Sequence, residues 1–249
     1  MFVISLLSMQ RSLALAFQFL TIFRAKVEPP GDLEEVGRSA WAFPLVGCFL
    51  GLLLVVAHLV LSAHLPVSVA GILVVTLWVV LTGGLHLDGW TDCGDALPTA
   101  VPLERRREIL KDSRLGSFGA LALIILLALK FATVSHEGLP LLCLVAAPAV
   151  GRGIMVAGSY GARHSGQGMA ASFLSGVDRN VAVRAALLGG LPALLLGLSG
   201  IFAAIIAFLV AVGFRRLAQS RVEVVNGDVI GAMCELSETV FLVAVLVRW

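Results

Sequence analysis

Three aspartates follow one another at helical spacing after an apolar stretch: Asp88, Asp92 and Asp95. Residues spaced i, i+4 and i+7 share one face of a helix. Three carboxylates on one face repel each other unless a cation lies between them, and their hard oxygen atoms suit Mg²⁺ or Mn²⁺. The spacing therefore predicts a metal site at these three residues, with a solvated acidic helix start as the alternative.

A second segment, Lys111–Gly119, combines cations, hydroxyls and glycines, which are the groups that hold phosphate. Lys111 and Arg114 are candidate catalytic cations, and the hydroxyls of Ser113 and Ser117 are candidate binding groups. Because this segment follows the aspartates closely, the two together predict a clamp of metal and cations on a phosphorylated substrate.

Two residues are candidates for a general base. His86 falls on the face opposite the aspartates if their helix is continuous, so it is either a base or an interfacial histidine. Asp112 is the other candidate, as a carboxylate that binds no metal.

Further polar residues stand near or within apolar runs. Arg163 is a third cation for the substrate, and Asp228 and Glu235 share a helix face with small residues that allow close helix contact. Asp228 could instead cap its helix. Arg152 either faces a partner or cavity or extends to the interface, and the latter is the expectation for Lys130.

The composition explains where such a site must lie. Of 249 residues, 59% are hydrophobic and 14% are charged, against about 25% charged in soluble domains. A soluble fold could not bury this much apolar surface. The basic residues form no extended basic domain, which excludes nucleic-acid binding, and the four cysteines form neither a CxxC pair nor a zinc pattern.

The hydropathy pattern predicts an all-α polytopic integral membrane protein, a single membrane-embedded domain over residues 1–249. About six to eight transmembrane helices are expected, arranged largely as hairpins, since a crossing needs about 20 mainly apolar residues. The N-terminal segment is expected to be an anchor or an interfacial helix. The predicted spans are Trp41–Leu61, Val67–Leu85, Phe118–Val134, Leu139–Ala157, Val181–Ser199, Ile201–Phe214 and Val229–Val247.

The basic residues indicate an orientation. The tight connections Ser62–Pro66 and Ser135–Pro140, and the region around Gly200, lack lysine and arginine, whereas the other connections are basic. The positive-inside rule places the basic connections in the cytoplasm. The polar segments lie on the same side, which predicts an active site at the cytoplasmic ends of the helices of a prokaryotic inner-membrane protein.

Two motifs together resemble the cobalamin synthase family, the adenosylcobinamide-GDP ribazoletransferases. They are Gly83-Gly-Leu-His-Leu-Asp-Gly-Trp-Thr-Asp-Cys-Gly-Asp95 and Lys111-Asp-Ser-Arg-Leu-Gly-Ser-Phe-Gly119. Gln18-Phe-Leu-Thr21, Phe43-Pro-Leu-Val-Gly47, and Gly227-Asp228 with Gly231-Ala232 and Glu235 are similar to flanking motifs of that family.

The resemblance implies a transfer late in vitamin B12 assembly. Adenosylcobinamide-GDP would donate cobinamide phosphate to a hydroxyl of α-ribazole or of its 5′-phosphate, GMP would leave, and Mg²⁺ would be required. The partners implied are these two substrates and the lipid bilayer, with a homo-oligomer left open.

Other classes remain open at this point. A CDP-alcohol phosphotransferase also uses an Asp-Gly-rich metal motif, but there an Ala-Arg pair follows the first Asp-Gly, where this chain has Trp90 and Thr91. An intramembrane prenyltransferase would carry two aspartate-rich motifs. A membrane transporter with an acidic ion relay would place its acids near the bilayer midplane.

Overall fold

The chain is all-helical in a computed structural model that describes residues 2–24, 27, 31–112, 114–164 and 166–247, with side chains from residue 8 onward. A single 3-10 turn, Ala40–Ala42, joins α2 to α3. The helices are α1 (Phe2–Leu20), α2 (Leu33–Ser39), α3 (Phe43–Ser62), α4 (Val67–Thr82), α5 (Leu85–Ala96), α6 (Leu103–Ile109), α7 (Ser117–Val134), α8 (Leu142–Ser159), α9 (Met169–Gly176), α10 (Arg179–Leu194), α11 (Gly197–Val222) and α12 (Gly227–Val245).

Several helices are long and apolar enough to cross a membrane, which makes the chain a multi-pass membrane protein. Four segments in the described part of the chain qualify: Leu33–Ser62, Ser117–Val134, Leu142–Ser159 and Gly197–Val222. The bent pair α4 and α5 makes a fifth if the two helices count as one span. The predicted class, an all-α polytopic membrane protein, is confirmed.

The number of such helices is smaller than the six to eight expected. Helix α10 has only 16 residues, and α12 carries three acidic residues, Asp228, Glu235 and Glu238. Helix α11 is longer than the predicted Ile201–Phe214, with 26 residues. Where the apolar run ends, the Arg215 guanidinium donates a hydrogen bond to the carbonyl oxygen of Gly158 in α8 at 2.6 Å.

Helix α8 forms the centre of the bundle and packs against α3, α10 and α12. Nearly all of its residues are buried, and many are glycine or alanine, which lets neighbouring backbones approach closely. Helices α8 and α10 approach closely at Gly153 and Gly189, where a Cβ on Gly189 would lie 2.9 Å from the Gly153 Cα. Of the predicted hairpins, α3–α4 and α10–α11 pack together, whereas α7 packs mainly against α5, α4 and α12.

A sharp bend positions the acidic motif. Gly83 and Gly84 both adopt left-handed backbone angles, with φ of 62° and 68°, a conformation that glycine reaches without a Cβ penalty. The axes of α4 and α5 consequently differ in direction by 96°. Helix α5 then packs against α12 and α7, so the aspartates come close to the start of α12 and to the segment before α7.

Candidate active site

The three aspartates lie on one helix, as predicted, because α5 runs continuously over Leu85–Ala96. Asp88 and Asp92 line a cavity of about 820 Å³, whose other walls come from the Lys111 segment and from α7. Asp92 also interacts electrostatically with Asp228, which extends from the first turn of α12. Two of the three predicted metal ligands therefore face the same cavity.

Asp95 has a different environment. Its carboxylate oxygens accept hydrogen bonds from the backbone N–H groups of Gly116 and Gly119, each at 2.7 Å. These N–H groups belong to the start of α7, which has no partners for them within the helix. Asp95 thus caps a neighbouring helix and ties α5 to α7, an arrangement that helical spacing alone does not reveal.

No group of three or more histidine, cysteine, aspartate or glutamate side chains is arranged to hold a metal ion within the described residues. The carboxylates that remain available at the larger cavity are those of Asp88 and Asp92. One or two carboxylates together with substrate phosphates form a ligand set that Mg²⁺ commonly uses, so this pair fits such an ion.

The start of the segment from Lys111 to Gly119 contributes to the wall of the same cavity. Lys111, Asp112 and Arg114 line the cavity together with Asp88 and Asp92. Ser117 is the first, exposed residue of α7, and Ser113 lies outside the described residues. The structure therefore brings two of the predicted cations, Lys111 and Arg114, to the same cavity as two of the predicted metal ligands, Asp88 and Asp92.

Asp112 is paired, which bears on its expected role. The Arg114 guanidinium donates to both of its oxygen atoms, with Nε at 3.0 Å from Oδ1 and Nη2 at 2.6 Å from Oδ2. This hydrogen bonding lowers the pKa of the Asp112 carboxyl to about 2. A carboxylate with so low a pKa accepts a proton poorly at neutral pH, since general bases work best with a pKa near the working pH.

His86 is almost fully buried, with 5% of its surface exposed. It lines a second, smaller cavity of about 270 Å³ together with Asp88 and Asp228. Its Nδ1 atom has no hydrogen-bond partner within the described residues. An unpaired buried nitrogen is costly, so a group that enters this cavity would find a partner there.

The remaining predicted site residues, Asp228, Arg163 and Glu235, lie in three different environments. Asp228 accepts a hydrogen bond from the Asn226 amide at 2.6 Å, and Asn226, rather than Asp228, caps α12. Arg163 is exposed, and its backbone carbonyl oxygen accepts a hydrogen bond from the N–H of Val225. Glu235 is buried, lines neither cavity, and lies in an ion cluster described next.

Four charged side chains form a buried cluster between α7, α8 and α12. Lys130 Nζ lies 2.6 Å from carboxylate oxygens of both Glu235 and Glu238, and Arg152 Nη1 lies 2.6 Å from the other oxygen of Glu238. Lys130 is 3% exposed and Arg152 is fully buried. The cluster is electrically balanced, with two cations and two carboxylates.

The cluster shows that the expectation for Lys130 was wrong, and it identifies the partner of Arg152. Lys130 does not extend to the interface, because two carboxylates bind it inside the bundle. Arg152 does face a partner, Glu238, which sequence reasoning did not single out. The clue was present, since two bases and two acids interrupt otherwise apolar runs, and buried charges require partners.

Comparison with known proteins decides the family. A family model described as cobalamin-5-phosphate synthase matches residues 12–246. The chain belongs to this family. The matched residues include the larger cavity, the α5 aspartates, the Lys111 segment and the buried ion cluster.

Curated relatives agree with this family. A Klebsiella pneumoniae (strain 342) protein named adenosylcobinamide-GDP ribazoletransferase is 36% identical over 221 residues, which cover 86% of this chain and 90% of the relative. A protein of the same name from Acetivibrio thermocellus is 31% identical over 235 residues, 90% of this chain and 93% of its own. A third, from Syntrophobacter fumaroxidans, is 35% identical over 240 residues, 92% and 95%. No solved structure matches the chain.

Proposed function

We propose that the protein transfers adenosylcobinamide phosphate from adenosylcobinamide-GDP to α-ribazole or its 5′-phosphate, with release of GMP. One observation carries the proposal: Asp88 and Asp92 line the same cavity as Lys111 and Arg114. Carboxylates that can hold a metal, opposed to cations that can hold phosphate, are what transfer from a diphosphate requires. The relatives' names supply the substrate.

In this transfer, one phosphorus–oxygen bond forms and one breaks. The oxygen of an acceptor hydroxyl forms a bond to the phosphorus that carries cobinamide, and the bond from that phosphorus to the bridging oxygen breaks. GMP leaves with the bridging oxygen. The hydroxyl proton is released to solvent or to a phosphate oxygen of the departing GMP.

The side chains around the larger cavity divide the work. Asp88 and Asp92 would hold Mg²⁺, which when bound neutralises charge on the diphosphate and on the departing phosphate. Lys111 and Arg114, which line the same cavity, would bind phosphate oxygens. Asp112 orients Arg114, because both of its carboxylate oxygens accept hydrogen bonds from the Arg114 guanidinium.

The orientation in the membrane belongs to the same proposal. The connections that carry the cavity are basic, with Arg105, Arg106 and Arg107 in α6, whereas the turn between α3 and α4 lacks lysine and arginine. The positive-inside rule favours a site that faces the cytoplasm, and the bacterial relatives favour a prokaryotic inner membrane.

The deciding experiment uses purified protein in lipid nanodiscs. The protein is incubated with Mg²⁺, adenosylcobinamide-GDP and α-ribazole, and in parallel with α-ribazole 5′-phosphate. We expect GMP and a corrinoid product that contains the ribazole base, in equal amounts. Absence of both products with either acceptor would overturn the proposed function.

A further inference from the structure

The smaller cavity adjoins the larger one at Asp88. Both cavities are lined by Leu85 and Asp88, so this aspartate stands where they meet. The larger cavity contains the cations for the donor diphosphate, which leaves the smaller cavity for the other reactant. An acceptor held there would have its hydroxyl beside the phosphate that it attacks.

The walls of the smaller cavity suit a flat aromatic group. Phe19 and Phe173 both line it, and their rings are nearly parallel, with centroids 6.2 Å apart and an interplanar angle of 9°. Met155, which is 1% exposed, adds a sulfur atom to the wall. Aromatic faces and thioethers favour contact with planar rings.

The charges at this cavity argue against a phosphate. Its lining contains the carboxylates of Asp88 and Asp228, and no lysine or arginine among the described residues that form it. An anionic group would be repelled there, whereas a neutral heterocycle would not. The departing nucleotide therefore belongs with Lys111 and Arg114 in the larger cavity.

Two further observations indicate that a ligand enters. The unpartnered Nδ1 of His86 lies in a side chain that is 95% buried and lines this cavity. The volume of about 270 Å³ is slightly below the roughly 300–1,000 Å³ of pockets that take whole drug-sized ligands. The cavity thus suits one ring system of a substrate.

We propose that this cavity, walled by Phe19, Met155, Ala170 and Phe173, is the acceptor subsite and holds the aromatic base of the acceptor nucleoside. The assignment rests on the proposed function for the identity of that nucleoside. In this arrangement the base packs against the phenylalanines, and the ribose extends past His86 toward Asp88.

The test fills the cavity without removing any side chain from the site. Ala170 lies half-buried at the cavity wall on α9, so Ala170→Phe reduces the space for the base. The matched control is Ala186→Phe, because Ala186 is exposed on α10 and lines a separate apolar groove. We expect KM for α-ribazole to rise about tenfold or more in Ala170→Phe, as expected for loss of ring contacts. KM for adenosylcobinamide-GDP should stay unchanged, and Ala186→Phe should behave as wild type.

A binding measurement makes the test independent of turnover. Equilibrium binding of α-ribazole is measured for wild type and both variants without donor, together with the lipid retained by each protein. Weaker α-ribazole binding in Ala170→Phe alone supports the subsite even if no product forms, in which case only the proposed transfer fails. Equal α-ribazole binding in Ala170→Phe and Ala186→Phe overturns the subsite. Loss of a retained lipid from Ala170→Phe with unchanged α-ribazole binding overturns it as well, and assigns the cavity to an acyl chain.

Discussion

Gly89 on α5 lies directly against the backbone of Asp228 at the start of α12: a Cβ on Gly89 would lie 2.6 Å from the Asp228 carbonyl oxygen. Gly89 stands between the two aspartates of the larger cavity, so the absence of a side chain there lets a third carboxylate approach them. The obstacle to any larger residue is backbone, which cannot rotate away as a side chain could.

Gly89→Ala is therefore expected to push the first turn of α12 away from α5. A misplacement of about 1 Å in a catalytic site can cost roughly 100-fold in rate, and overpacking costs about 1–3 kcal/mol of stability. Initial rates of GMP release and thermal unfolding in detergent measure the two effects. Gly213→Ala is the control, because a Cβ there meets nothing within 4 Å. Full activity of Gly89→Ala would contradict the close approach.

The second prediction concerns the metal. Asp88→Asn and Asp92→Asn should each abolish transfer, because each removes a charged oxygen ligand from the larger cavity, and chelation of Mg²⁺ should stop the wild-type reaction. The unfolding temperature should change little, since neither carboxylate forms a salt bridge within the described residues. Asp178→Asn is the matched control, as asparagine preserves the cap on α10. An active, folded Asp88→Asn protein would remove the metal role.

Substitutions of Asp95 distinguish between two roles for this residue, a helix cap and a metal ligand. If it caps α7, Asp95→Ala loses both hydrogen bonds to Gly116 and Gly119 and should cost about 1–2 kcal/mol of stability. Asp95→Asn retains one acceptor oxygen and should lie between Asp95→Ala and wild type in unfolding temperature. A metal ligand would behave differently, with activity lost in Asp95→Asn at unchanged unfolding temperature and a higher Mg²⁺ requirement.

We expect the stability of the protein to depend on the balance of charge in the buried ion cluster. Lys130→Met leaves Glu235 and Glu238 with a single cation, and Glu235→Gln leaves the opposite excess, so each should cost about 3–5 kcal/mol. The double variant Lys130→Met/Glu235→Gln removes one charge of each sign and preserves the Arg152–Glu238 pair. Its unfolding temperature should exceed that of either single variant. Additive losses in the double variant would show that the charges do not act as one unit.

Much of the fold could be predicted because hydropathy is a local property. The helices α3, α7 and α8 begin and end within a few residues of the predicted spans, since a bilayer-crossing helix must be apolar along its length. The span predicted over Val181–Ser199 corresponds to α10, which has only 16 residues and already ends at Leu194. The sequence alone did not predict this earlier end. Helix α11 continues beyond the predicted end to Val222, and the contact of Arg215 with α8 is one that no local pattern contains.

The candidate site was predicted in part. Asp88, Asp92, Lys111 and Arg114 were selected from residue type and spacing, and they line one cavity. Asp95 has the same spacing but a different neighbour, and Glu235 lies among buried charges. Spacing along a helix fixes the face on which a side chain lies, but it does not fix what the next helix places against that face.

The sequence by itself determined that this chain is a multi-pass helical membrane protein, that α5 carries three aspartates on one face, and which family it resembles. These follow from composition, periodicity and motif, which are properties of neighbouring residues. Only the tertiary structure decided that Asp95 caps α7, that Glu238 pairs with Arg152, and that Asp88 stands between two cavities. Each of these depends on helices distant in sequence, brought together where glycine and alanine permit contact and buried charges require partners.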